Sequence, residues 1–219
     1  MDVILTLDKF PLLSKLTINQ GKLPNSSILI SNFLRSTFLL SNTLLHDNNL
    51  IVFCSNHFSS SPKGLIVSFY GKKLRYLAPD ERGTLFLLLK ICRIISGEGG
   101  KKQEKKEAEK FRQFLKAQST PGIYLKRGDF NNIWDMYSPT GNAYYIIGEN
   151  TQQYPKLNSF EELEKALEPQ SILVFPMDEG SEFTPPHSNI NIMHFIDSTW
   201  KDKFYQSELI SYIQAKITR

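Results

Sequence analysis

The chain has 219 residues, 41% of them hydrophobic and 22% charged, a balance that suits a globular protein with enough apolar mass for a substantial core. No apolar run approaches the roughly 20 residues that span a bilayer, and Asp2 and Asp8 stand where a signal peptide would be basic, so a cytoplasmic chain without a membrane span is expected. A net charge of +4 hides an asymmetry: residues 1–128 hold 20 Lys+Arg against 9 Asp+Glu, and residues 129–219 hold 6 against 13, which suggests a polyanion met on one side.

In chain order, residues 3–7 are expected to form a first strand, followed by a loop containing Pro11, Gly21 and Pro24. Ser26 or Ser27 is suited to cap a helix over 28–45. The continuous apolar run 50–54 reads as a buried strand, and 65–70 and 74–76 as two more, with Gly71 and Lys72 turning between them. A helix is expected over 79–95, with Pro79 at its first position, Asp80 and Glu81 in its first turn, and Leu85, Leu88, Leu89, Cys92 and Ile95 inward. The run Ser-Gly-Glu-Gly-Gly at 96–100 breaks it. Residues 101–117 then read as a mixed-charge helix, with Phe111, Phe114 and Leu115 its only residues to bury, so that about 96–118 forms a charged excursion from a single domain over 1–219.

Further strands are expected at 123–125, 143–147, 172–175 and 190–195, and helices at 130–137, 160–167 and 200–217, the last capped by the Asp197-Ser198-Thr199 run. Strands alternating with helices predict an α/β fold with a mostly parallel sheet. No GxGxxG follows the first strand and no GxxxxGK[ST] occurs, which disfavours dinucleotide-binding and P-loop enzymes. Cys54 and Cys92 lack CxxC spacing and are expected as buried thiols. The histidines at 46, 57, 187 and 194 are scattered, so no metal site is expected.

The densest chemistry lies at 71–84. Lys72, Lys73, Arg75 and Tyr76 place cations and an aromatic ring on a strand tip that could meet a phosphate or a base, immediately before the acids and Arg82 of a helix start. Two readings of Asp80 and Arg82 stay open: a functional pair, or a salt bridge fastening the helix. The order Leu74-Arg75-Tyr76-Leu77-Ala78-Pro79-Asp80-Glu81-Arg82-Gly83-Thr84 resembles the LRYLNPDERS signature of the archaeal tRNA pseudouridine N1-methyltransferases, trefoil-knotted enzymes of the SPOUT superfamily. Thr120-Pro121-Gly122-Ile123-Tyr124 with Phe130 is similar to that family's SPGIYV…F, and Tyr144-Tyr145-Ile146-Ile147-Gly148-Glu149-Asn150 to its YYLHEDG. The three stand in family order, and the resemblance spans roughly 26–219.

The resemblance implies a sheet with a C-terminal trefoil knot, a homodimer, S-adenosyl-L-methionine as cofactor, and tRNA as partner, methylated on N1 of the pseudouridine at position 54 of the T-arm. It implies catalytic roles for Asp80 (proton acceptor) and Arg82, and RNA contacts by Lys72, Lys73, Arg75 and Tyr76. The cofactor would be held mainly by backbone in late loops, at Phe175, Pro176, Asp178, Gly180 and Met193, with Asp178, Glu179 or Asp197 bonding the ribose hydroxyls; helix capping is the competing role of Asp197.

Three elements depart from the pattern. Val174-Phe175-Pro176-Met177-Asp178-Glu179-Gly180 keeps Gly180 of the family's VLGDHxG but puts Pro176 at its first glycine; Asn191-Ile192-Met193-His194 lacks the Gly-Pro of SLGP; and Ser26-Ser27-Ile28-Leu29 lacks the Arg and Asp of GRMD. Proline removes an N–H. The alternative is therefore a relative that binds RNA without methylating it.

Overall fold

The computed structural model describes residues 1–40, 43–58, 63–75, 77–98, 101–133, 144–147, 156–167, 171–177, 192–195 and 206–217, with side chains left out at 144–147, 192–195 and 216–217. The strand β1 (Asp2–Leu7) leads through a loop to the short α1 (Lys15–Asn19) and the longer α2 (Asn25–Phe38). A small antiparallel pair, β2 (Leu39–Leu40) with β3 (Thr43–Leu44), precedes β4 (Asn49–Cys54) and β5 (Gly64–Tyr70). Next come α3 (Glu81–Ser96), α4 (Lys102–Phe114), β6 (Lys116–Thr120) and β7 (Ile123–Gly128). The remaining described elements are β8 (Tyr144–Ile147), β9 (Lys156–Leu157), α5 (Phe160–Ala166), β10 (Ile172–Pro176), β11 (Ile192–Phe195) and α6 (Gln206–Ile217).

Nine strands form one sheet in the order β6-β7-β5-β4-β1-β10-β8-β11-β9. The run from β4 to β9 is parallel throughout, and β5, β7 and β6 continue it antiparallel on one side. The fold is thus α/β with a mixed, mostly parallel sheet, as the alternating pattern predicts. β1 is central because Val3, Ile4 and Leu5 are apolar on both faces and fully buried, the composition that a parallel strand covered on both sides requires.

The two faces separate by residue parity. Val3, Leu5, Leu50, Val52 and Leu173 join the larger core with residues of the helices, whereas Ile4, Ile51, Phe53, Ile66, Ile172 and Val174 form a second cluster with Ile133. On the helical side α2 packs against α3 and α6, and α4 packs against α3. A fully buried edge-to-face pair, Phe33 of α2 on Phe175 of β10, ties that layer to the sheet at a centroid distance of 4.8 Å.

Several expectations are corrected. Of the strand expected at 74–76, Leu74 and Arg75 are not extended into the sheet, and Tyr76 lies outside the described residues: Gly71–Lys73 is a 3₁₀ turn, with Leu74 N–H donating to Tyr70 O and Gly71 O, and Leu74 is tucked into the core. Pro79 lies before α3 and Asp80 is its cap, outside the first turn. The α2 helix ends at Phe38, because Leu39 turns into an extended conformation to pair with β3, and neither serine caps it through its side chain; Ser27 Oγ donates to Pro24 O instead. The 101–117 segment is divided between α4 and β6, a strand that the charged sequence conceals because it lies at the sheet edge. Within that segment Phe111 is buried, while Phe114 is 68% exposed. The expected helix over 130–137 is described only at 131–133, and the expected cap of the last helix lies outside the described residues.

Candidate functional site

The first two sequence motifs meet in space. β5 delivers Tyr70 to Gly122, whose carbonyl accepts the Tyr70 N–H at 2.8 Å. Gly122 has φ +88° and sits so close to the chain at Lys73 and Leu74 that a Cβ there would lie 2.7 Å from Leu74 N. The Lys73 ammonium stands 5.4 Å above the ring of Tyr124, which in turn meets Tyr70 edge-on. The turn is held from below by Asn48 O, which accepts the Gly71 N–H, and by a hydrogen bond between His46 Nδ1 and Gly71 O. Lys72 pairs with Asp47 at 3.6 Å, but its side chain is 79% exposed, so the pair is weak and the cation stays available. Arg75 is also exposed, and Tyr76 lies outside the described residues.

At the start of α3, Asp80 Oδ1 accepts the Gly83 N–H at 2.6 Å. That is N-cap geometry, and it orients the carboxylate on a rigid element. Arg82 does not pair with Asp80 among the described ion pairs. Its Nη2 donates to Asn19 Oδ1 of α1 at 3.2 Å, and its guanidinium lies 5.7 Å over the Phe86 ring. The salt bridge that the sequence allowed is replaced by a cap and a separate arginine, both solvent-facing. A short buried contact between the hydroxyls of Ser31 and Thr84 fixes this end of α3 against α2.

The late loop begins at the other end of the sheet. Pro176 is level with Thr6, and the Met177 N–H donates to Thr6 O at 3.2 Å. Tyr70 is level with Asn49 and so with Asp2, at the amino ends of the parallel strands, whereas Pro176 marks their carboxyl ends. A strand of this length separates the two edges by about 20 Å. Phe175 contributes only backbone to any ligand there, because its ring is buried against Phe33. Asp178, Gly180 and Asp197 lie outside the described residues, as does the side chain of Met193.

Around the same carboxyl edge the structure gathers a group that the sequence motifs do not include. Arg127, at the end of β7, lays its guanidinium 3.9 Å over the Phe58 ring and 5.6 Å from that of Phe111. His57 stacks edge-on against Phe58 and accepts the Phe10 N–H at Nδ1. Burial, then Arg127, then Lys9 push its imidazole below the usual histidine range, toward the neutral form. Only contacts between distant segments reveal this group; no spacing in the sequence links 9, 57 and 127.

Both cysteines are buried and outside any disulfide, as their apolar contexts predict. Cys92 donates its thiol to Pro11 O, and burial pushes it up to about 11. Among the described residues no cluster of three or more His, Cys, Asp and Glu is placed to hold a metal ion, and no helix is long and apolar enough to cross a membrane.

No protein-family model matches the chain. A curated tRNA (pseudouridine(54)-N(1))-methyltransferase from Methanococcus aeolicus is 29% identical over 133 residues. Those residues make up 59% of this chain and 56% of the relative, so the chain spans little more than half the length of the curated protein it matches. This chain is distantly related to that methyltransferase.

Proposed function

We propose that the chain is an S-adenosylmethionine-dependent tRNA methyltransferase that modifies N1 of pseudouridine at position 54 of the T-arm. The observation that carries this reading is the distant match to an enzyme of that name, joined to the Leu74–Thr84 motif. The reading extends to a single knotted SPOUT-type domain over 1–219, working in the cytoplasm as a homodimer.

Ligands of open α/β sheets sit beyond the carboxyl ends of the parallel strands, where Pro176 and Met177 lie, so the fold offers the cofactor a suitable edge. Its donor set is depleted there: Pro176 has no N–H and that of Met177 is committed to Thr6 O. Carbonyls of this segment, with Asp178, Gly180, Met193 and Asp197, would then hold the group. S-adenosylmethionine supplies an electrophilic methyl group when bound.

The chain's own residues bind and orient the base. Asp80, held by its cap, accepts the N1 proton directly or through a water. Arg82 neutralises charge that develops on the base carbonyl, and Lys72, Lys73 and Arg75 bind phosphate. Since the 72–75 segment lies at the opposite edge from Pro176, a second copy of the chain would be needed to bring these cations to the cofactor loop. This geometry supports the dimer.

Calorimetric titration with S-adenosylmethionine, followed by methylation of pseudouridine-containing tRNA, tests the reading. Micromolar binding and methyl transfer support it. Absence of binding with and without tRNA favours the second reading, a non-catalytic RNA-binding relative, for which Pro176 is the specific observation.

A further inference from the structure

We infer that Arg127, His57 and Lys9 form a phosphate-binding subsite at the carboxyl edge of the sheet, separate from the cations at 72–75. The three reach this edge from different strands: Lys9 follows β1, His57 follows β4, and Arg127 ends β7. The Arg127 guanidinium is fixed over Phe58 and Phe111, and its Nε is buried without a hydrogen-bond partner among the described residues. A buried donor on a charged group left unpaired is costly, and an anion is the ligand that removes the cost.

The imidazole adds a second donor. Because Nδ1 accepts the Phe10 N–H, the neutral ring carries its proton on Nε2. Two carboxylates are close in sequence, and both are engaged elsewhere. Asp8 accepts from Asn56 Nδ2, and Asp129 accepts the Asn132 N–H. No ion pair joins either to Lys9 or Arg127 among the described residues. The cluster is therefore rich in donors and positive, and its half-buried setting strengthens its hold on an anion relative to open water. A phosphate group, with oxygens on several sides, matches a guanidinium fork, an imidazole N–H and an ammonium together.

Lys9 comes two residues after β1, the strand that pairs with β10, so the subsite shares its edge with the Pro176 loop. If the function proposed above holds, the phosphate is a phosphodiester of the RNA strand; the source of the phosphate, and not the subsite, rests on that reading.

The test is NMR observation of the His57 imidazole in the full chain, with inorganic phosphate and separately with a T-arm RNA hairpin. Phosphate should shift the His57 signals, and Arg127→Gln or the surface change Lys9→Gln should weaken that response several-fold. With RNA, Lys9→Gln should lower the salt-dependence slope of binding by about 0.7, because one phosphate fewer is neutralised. A phosphate response without an RNA response keeps the subsite and removes RNA as its source. His57 signals that neither probe moves, in wild type and in folded Lys9→Gln alike, would overturn the inference.

Discussion

Asp80 caps α3, and in the function proposed above it also accepts a proton, two roles that one substitution separates. Asparagine caps a helix about as well as aspartate, whereas alanine loses the cap at a cost of about 1 kcal/mol. Asp80→Asn should therefore leave the unfolding midpoint nearly unchanged while abolishing most methyl transfer, and Asp80→Ala should lower both. Methylation that survives in Asp80→Asn would confine Asp80 to capping Gly83. Arg82→Ala removes one exposed hydrogen bond to Asn19 and a loose packing of the guanidinium on Phe86, so stability should change little and methylation fall more; equal losses would make Arg82 structural. His57 gives a pH signature. Its folded value lies below the ordinary 6.5, so the unfolded chain binds more protons as the pH falls from about 6.5 toward that lower folded value. Stability should fall on acidification through this window, and His57→Gln should flatten that part of the thermal-unfolding profile.

The segments that carry the motifs are locked together by backbone proximity, which makes Gly122 an informative position. Alanine there meets both a positive φ and the Leu74 backbone, so Gly122→Ala should destabilise by more than about 1 kcal/mol in chemical denaturation. It should also displace the Lys72–Arg75 turn and weaken RNA binding. The α4 helix makes a contrasting case. Glu104, Ala108 and Phe111 are buried, and Glu104 faces Arg93 at 3.6 Å, while Lys101, Lys102, Lys105 and Lys106 are exposed. Neutralising those four lysines should preserve folding and, if the helix touches RNA, flatten the salt dependence of binding. An unchanged slope would place α4 outside the RNA path. The helix and the edge strand after it read as one charged stretch because exposed lysines obscure where a 3.6-residue period gives way to strand alternation. Hydrogen bonds across the chain decide the boundary: Gln118 N–H donates to Glu107, and Arg127 N–H donates to Leu115 O.

A dimer that joins opposite edges of two sheets would explain how the 72–75 cations and the Pro176 loop serve one site. Sedimentation of the purified chain should then show a dimer, and mixing Asp80→Asn protein with a variant altered at the cofactor loop should restore part of the activity that each lacks alone. The alternation of strands and helices, the apolar strands β1, β4 and β10, and a helix beginning near Pro79 are legible in the residues, because burial on two faces and helix-start chemistry are local demands that composition satisfies locally; that Asp80 is the cap of α3 and lies outside its first turn is not. The 3₁₀ form of the turn at 71–73, and the loss of the strand expected to follow it at Leu74 and Arg75, are not legible either, since Gly71 and Leu74 are held by Asn48, His46 and Gly122, none of them neighbours in sequence. Nor is the Arg127–His57–Lys9 group, whose members lie on separate elements and acquire a shared chemistry only when the sheet brings their ends together. Residue order is enough to suggest the α/β class and a distant methyltransferase kinship, because apolar periodicity and short motifs are properties of contiguous chain. Which cations face which edge, and that Arg127 at the sheet's carboxyl edge keeps a buried donor without a partner among the described residues, depend on strand order and register, and those are set by packing between segments far apart in the chain.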